Sequence, residues 1–324
     1  MDRYDALAAW KAILNGRKPL LSIEITQECP LRCPGCYAYD EAHLGGERTL
    51  RELSDEKGDE LVARVLQIVD KCRPLHLSIV GGDPLVRYRE LKVLLPQITA
   101  RGVYVQVVTS AFREIPAEWA LLPRFKLVVS IDGLPAEHDV RRKPATYERI
   151  LKNIANHHVT VHCTVTSAML SGDGYLRRFL DFWSARDEVQ QIWMSIFTPQ
   201  VGADSPEIPT AAQRQLFVEQ MVALRPLFPK LDLEERTIRQ FAQPPHSPEA
   251  CIFAQVTETI SADLTTRITP CQFGGNPDCS KCGCAASMGL NGLGSVKLAP
   301  GVSIGRLFTL SSAVGRGMNK LRAA

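Results

Sequence analysis

The sequence lacks any uninterrupted apolar run of about 18 residues, the length a spanning helix needs, which excludes a membrane-crossing segment. It also lacks an apolar block at its start: Met1 to Arg17 carries Asp2, Arg3, Asp5, Lys11 and Arg17 among scattered apolar residues, unlike an export signal. A cytoplasmic location is the expectation. Net charge is nearly absent, since 38 Lys+Arg against 35 Asp+Glu leave +3, and this excludes a general nucleic-acid binder. No internal repeat or low-complexity tract stands out. What is present is a chain of 324 residues, 45% hydrophobic and 23% charged, able to bury a large core as one or two globular domains. Its 10 cysteines, in a reducing compartment, call for a role other than disulfides, and metal ligation is the leading one.

Short β-rich runs alternate with helical patterns, the mark of repeated β-α units around a mostly parallel sheet. The runs are Leu20 to Thr26, Leu75 to Val80, Val103 to Thr109, Lys126 to Ile131, Val159 to Thr166 and Gln191 to Phe197. Helical segments fall near Asp55 to Cys72, Arg87 to Arg101, Ala145 to His157, Gly174 to Ala185 and Thr210 to Leu224. Leu61, Val65, Leu66 and Val69 make one apolar face at helical spacing. The strands read as Val/Ile/Leu-rich on both parities, which predicts helices outside and packed apolar side chains inside an α/β barrel. Pro226, Pro229, Pro244, Pro245 and Pro248 mark a change of texture, and Thr257 to Thr269 alternates like a hairpin. The expected division is an N-terminal helix at 1–18, a barrel at 19–225, a cysteine-rich extension at 226–300 and a basic tail at 301–324.

Cys29, Cys33 and Cys36 follow the first strand directly, in Glu-Cys-Pro-Leu-Arg-Cys-Pro-Gly-Cys-Tyr. Loops at the C-terminal ends of parallel strands line the reaction mouth of a barrel, so three thiolates converge where substrate enters. Three sulfurs can hold three irons of a cubane cluster and leave the fourth iron open to an exogenous ligand. The alternative is a structural zinc site, which needs a fourth protein ligand; His43 is the nearby candidate.

This loop resembles the signature of the radical S-adenosylmethionine (SAM) superfamily, and later landmarks agree with it in order. Gly81-Gly82-Asp83-Pro84 at the end of strand two is similar to the family's Gly-Gly-Glu-Pro, with Asp in place of Glu. Val108-Thr109-Ser110 ends strand three, and Ser130-Ile131-Asp132-Gly133 ends strand four, followed by Glu137-His138-Asp139 and Arg141. The resemblance spans about 19–200 and points to the branch with SPASM- or twitch-like C-terminal extensions. It implies a partial (β/α)6 barrel, a 4Fe-4S cluster and SAM as cofactors, and an electron donor such as flavodoxin or ferredoxin. It further implies reductive cleavage of SAM to a 5′-deoxyadenosyl radical that takes hydrogen from a peptide, lipid or small molecule. On it, Gly81, Gly82, Asp83, Thr109, Ser130, Asp132 and Arg141 are cofactor-binding candidates. The family often has an aromatic residue just before the third cysteine; here Gly35 stands there, and Tyr37 is the candidate to take over the adenine contact. Competing classes are a non-catalytic iron-sulfur electron carrier and a zinc-stabilised binding module.

A second group, Cys271, Cys279, Cys282 and Cys284, lies in a Gly- and Pro-containing segment, with Cys251 upstream. It reads as an auxiliary iron-sulfur site with five candidates for four ligand places, zinc being the alternative. Cys72 and Cys163 read as core or incidental thiols. After Asp278 there is no acidic residue, whereas Lys281, Lys297, Arg306, Arg316, Lys320 and Arg322 are basic. Leu307, Phe308, Ser311, Val314, Met318 and Leu321 form an expected apolar helical face, which either docks on the barrel or touches anionic lipid.

Overall fold

The computed structural model describes residues 3–46 and 48–323. One sheet of seven strands organises the molecule, in the order β6-β5-β4-β3-β2-β1-β7. The strands are β1 (Leu20–Glu24), β2 (His76–Val80), β3 (Tyr104–Thr109), β4 (Phe125–Ile131), β5 (Val159–Val165), β6 (Val189–Ile196) and β7 (Thr257–Ile260). Every neighbouring pair in it is parallel. The first six are the runs expected from the sequence, and together with their crossover helices they form the partial barrel.

Alternation along each strand decides what faces where. Ile23, Ile79, Val107 and Leu127 are aligned across four strands and form one core with Leu61, Val65, Leu91 and Leu94 of the crossover helices. Each such side chain, buried almost completely, contributes about 1.5–3 kcal/mol. The opposite, concave face carries Ser22, Ser78, Gln106 and Lys126 in register, and His162 beside Ser130. The expected all-apolar interior is therefore not what forms: the inner row is polar and partly hydrogen-bonded, with Gln106 Nε2 donating to Ser78 Oγ at 2.9 Å and Lys126 Nζ to Gln191 Oε1 at 2.5 Å. Helices cover only the outer face, so only that parity needs to be apolar.

The chain from the proline-rich stretch onward is woven into this sheet. Leu231 bridges β6 in parallel at Ile192, and β7 pairs with β1 along Leu20 to Ile23. The expected hairpin at Thr257 to Thr269 reduces to β7, a turn, and an isolated antiparallel bridge from Ile260 to Arg267. The cysteine-rich segment runs along the exit of β6: Val201 N donates to Asn276 O, Asp278 N to Pro199 O and Ile196 N to Gly283 O, each at 2.9 Å. At the termini, helix Arg3–Leu14 packs on helix Ile304–Ala323 through a small core of Ile13, Val256 and Phe308. Among the described residues no helix is long and apolar enough to cross a membrane.

Candidate active site

The loop after β1 is held from several sides. Thr26 Oγ1 and the Gln27 amide both donate to Asp55 Oδ2, at 2.5 and 3.0 Å. Arg87 links that carboxylate to Glu28 at 2.9 and 2.7 Å. The hydrogen bonds from Arg87 and Lys57 hold the Glu28 carboxyl down at about 2. From the end of β2, the amides of Gly82 and Asp83 donate to the carbonyls of Thr26 and Glu28 at 2.8 and 2.9 Å. A Cβ on Gly82 would collide with the Glu28 carbonyl. The glycine pair thus brings β2 hard against the cysteine loop, a role nearer to loop positioning than to the expected cofactor contact.

Cys29, Cys33 and Cys36 are half-buried on that loop. Burial pushes the Cys29 thiol up to about 12, with Asp83, Cys36 and Cys33 adding repulsion, and burial likewise raises Cys33 and Cys36. The Leu31 amide donates to Cys29, and those of Ala38 and Tyr39 to Cys36. Such amide donors favour thiolates bound to a cationic centre.

Beside the loop, at the exit of β4, Asp132 is only 3% exposed. Its Oδ2 accepts from Arg142 Nε at 2.7 Å and Arg141 Nε at 2.9 Å. Burial opposes the charge, but the two guanidiniums prevail and hold this carboxyl at about 2. Its Oδ1 is buried without any partner. A buried carboxylate oxygen with no donor is costly, so the site is built for a donor that arrives with a ligand. Arg141 also donates to the Pro34 carbonyl at 2.7 Å and to Glu207, clasping the cysteine loop from the far side.

Gly35 has φ +63°, and a Cβ there would fall 2.5 Å from Glu207 Oε2 and 2.8 Å from the Phe197 ring. Glu207 and Phe197 therefore fill the space beside the loop where a side chain at 35 would stand. Neither was anticipated; the lone glycine between Pro34 and Cys36 is the only trace of them in the sequence.

Other expected cofactor contacts are committed elsewhere. Asp83 Oδ1 accepts from Thr109 Oγ1 at 2.6 Å and the Leu85 amide at 3.0 Å, while Oδ2 accepts from Ser110 Oγ at 2.5 Å and its amide at 2.9 Å. That uses all four lone-pair directions of a carboxylate. Asp83 is a tie between the exits of β2 and β3, and Thr109, whose oxygen also accepts from the Ala111 amide at 3.1 Å, belongs to it. Tyr37 packs edge-on to His43 and Phe273, with ring centroids 5.6 and 5.4 Å away, between the two cysteine groups. Ser130 remains half-buried on the concave face. His43 cannot serve as a zinc ligand here: Nε2 meets Glu24 Oε1 at 2.7 Å and Nδ1 meets the Phe273 carbonyl at 2.9 Å, so both ring nitrogens are engaged.

The second cysteine group closes on itself. Cys251, Cys271, Cys279, Cys282 and Cys284 line one small apolar chamber, between Phe253, Phe273 and Thr198. Burial pushes Cys271 up to about 12 and Cys279 up to about 11. Against its wall Arg214, 7% exposed, donates to the carbonyls of Lys281, Phe241 and Cys282 at 3.0, 3.0 and 2.6 Å. Its described hydrogen bonds all go to carbonyls, and Asp278 acts on it only from a distance. Thiolates held by a metal centre would supply the missing negative charge. Cys251 Sγ also meets Ser287 Oγ at 3.1 Å. Cys163 is a core side chain and Cys72 a half-buried one at a helix end. Among the described residues no His, Cys, Asp and Glu side chains group tightly enough to hold a single metal ion. A cubane is larger than one ion and takes its thiolates on separate irons.

The family model of the radical SAM superfamily matches residues 23–178. Over this stretch, a little under half of its length, the chain is similar to the radical SAM superfamily. Over 89 residues, 28% of this chain and 21% of the relative, it is 34% identical to PqqA peptide cyclase of Rhodopseudomonas palustris. Its fold is similar to that of Streptococcus suis SuiB bound to precursor peptide SuiA, with TM-score 0.56, 15% identity and coverage of 80% of this chain and 61% of that one. Native anSMEcpe with bound AdoMet is alike to the same degree, with TM-score 0.56, 14% identity and coverage of 78% and 74%. The chain thus spans about a fifth of the length of the curated relative in the matched segment and about three fifths of SuiB. The family implies a 4Fe-4S cluster and SAM, and the three-cysteine loop with the unpaired Asp132 oxygen beside it fits that pair.

Proposed function

We propose that the protein is a radical SAM enzyme that modifies a peptide. The observation carrying the cofactor reading is the buried, donorless Oδ1 of Asp132 next to a loop that offers three thiolates. When bound, the cluster and SAM supply reductive carbon-sulfur cleavage to a 5′-deoxyadenosyl radical able to take hydrogen from an unactivated C-H bond. Cys29, Cys33 and Cys36 hold the irons, and Asp132 receives a hydroxyl or ammonium donor of SAM. Arg141 and Glu207 keep the loop in place, and the polar row of the concave face orients the substrate and excludes water. Electrons come from a flavodoxin- or ferredoxin-type donor. The peptide class is supported by the similarity to a peptide cyclase and to a fold solved with a precursor peptide bound.

The second cysteine group is read as an auxiliary iron-sulfur site, supported by Arg214, whose described hydrogen bonds all go to carbonyls. Residues 19–225 supply most of the barrel, and 226–300 the extension that adds β7 and this second site. The test is anaerobic reconstitution followed by iron, sulfide and zinc analysis, then assay of 5′-deoxyadenosine with SAM and dithionite. About eight irons per chain and 5′-deoxyadenosine formation are expected. A colourless zinc protein, or an iron-sulfur protein that leaves SAM intact, overturns the reading.

A further inference from the structure

The C-terminal helix Ile304–Ala323 follows directly on a small hairpin, Lys297–Ala299 with Val302–Ser303. The apolar face expected from the sequence splits in two. Phe308 is buried against Ile13 and Val256, and Leu307 and Ser311 are half-buried. Val314 and Met318 lie outside that contact, and with Leu310 they make a separate stripe that is 59%, 55% and 38% exposed in the order Leu310, Val314, Met318. Lys320, Leu321 and Arg322 have side chains outside the described residues. Four-residue steps put Arg306, Leu310, Val314 and Met318 along one side of the helix over about 18 Å. At its start the hairpin adds exposed Leu298 and Val302 around the exposed tip Ala299-Pro300-Gly301.

Every described charge on the hairpin and this helix is positive: Lys297, Arg306 and Arg316, all exposed. The two helices that pack against it add little acid. Ala285–Gly294 carries no charge, and Asp5 is the only acid among the described residues of Arg3–Leu14, where it is half-buried. Two copies meeting through this stripe would bring together cations with no described acid on the helix to pair with them, which disfavours a symmetric dimer.

We propose that the hairpin tip and the Leu310-Val314-Met318 stripe form a docking surface for an anionic lipid bilayer. The apolar side chains enter the headgroup boundary, and Arg306 at the start of the stripe and Lys297 of the hairpin reach lipid phosphates. The protein lies on the membrane without crossing it, and the surface is independent of the cofactor sites.

The test is co-sedimentation of the full chain with vesicles of phosphatidylcholine alone, and with vesicles of about three parts phosphatidylcholine to one part phosphatidylserine. Binding is expected only to the second kind, weakening as salt rises. Leu310→Ser with Val314→Ser, both exposed, is expected to cut the partition constant by about ten-fold or more while the circular dichroism spectrum stays that of the parent. Arg306→Glu is expected to weaken binding as well. Equal binding to both vesicle types, no binding to either, or a double variant that sediments like the parent overturns the proposal. So does a concentration-dependent dimer in sedimentation velocity that the double variant abolishes.

Discussion

The two cysteine groups stand at opposite ends of one physical scale. Around Cys29, Cys33 and Cys36 the wall is charged and directional: Asp132, Arg141, Arg142 and Glu207 form ion pairs, and one buried carboxylate oxygen is left without a donor. Around Cys251, Cys271, Cys279, Cys282 and Cys284 the wall is apolar, with the buried Arg214 bonded to the carbonyls behind it. A charged wall with an unused acceptor suits a polar, zwitterionic ligand bound beside the irons. An apolar chamber with sulfur on several sides suits a centre closed by its own thiolates. Phe273 joins the two, because its carbonyl meets His43 while its ring packs on Tyr37, next to Cys36.

Variants can break this comparison. The largest effect is expected from Cys33→Ala: loss of about half the iron and a fall in 5′-deoxyadenosine formation of at least about a thousand-fold, with the second centre retained. Loss of all iron instead would show the groups to be one assembly. Gly82→Val comes next, because its side chain meets the Glu28 carbonyl; a loss of about 3 kcal/mol in urea unfolding and poor retention of the first cluster are expected. Arg214→Met is expected to remove iron from the second group while SAM cleavage persists, as read by iron analysis beside the 5′-deoxyadenosine assay. Asp132→Asn should weaken SAM binding about ten-fold, measured by calorimetry, with the first cluster's iron retained.

The smallest effect concerns acid. Because Arg142 and Arg141 hold the folded Asp132 carboxyl at about 2, below its unfolded value, its contribution of about 2 kcal/mol is complete above pH 4. It is lost as pH falls from about 4 to about 2. Urea midpoints followed over that window should drop more steeply for the parent than for Asp132→Asn.

Much of the fold was legible because local pattern and final packing agree. Leu61, Val65 and Val69 at helical spacing face the sheet, and β1 to β6 fall in the expected runs. The polar concave row was misread, although Ser22, Ser78 and Gln106 alternate with apolar neighbours in plain view; a parity reading of each strand would have found it. In the site, the cysteine loop and Asp132 could be placed by position at strand exits. The engagement of Asp83 by Thr109 and Ser110 could not, because it depends on two strand exits meeting in space. Glu207 and Phe197 reach Gly35 from more than 160 residues away in the chain, a separation that no local pattern spans. Four of the C-terminal cysteines cluster in the sequence, whereas Cys251 stands twenty residues upstream and only the fold brings it to the same chamber.

The central claim is that the Cys29-Cys33-Cys36 loop leaves one iron free for SAM. Electron paramagnetic resonance of the reduced protein, recorded before and after adding SAM, tests it most directly. The account predicts a changed spectrum for the first cluster, preserved in Arg214→Met and lost in Cys33→Ala. An unchanged spectrum at saturating SAM in the fully loaded parent would contradict it.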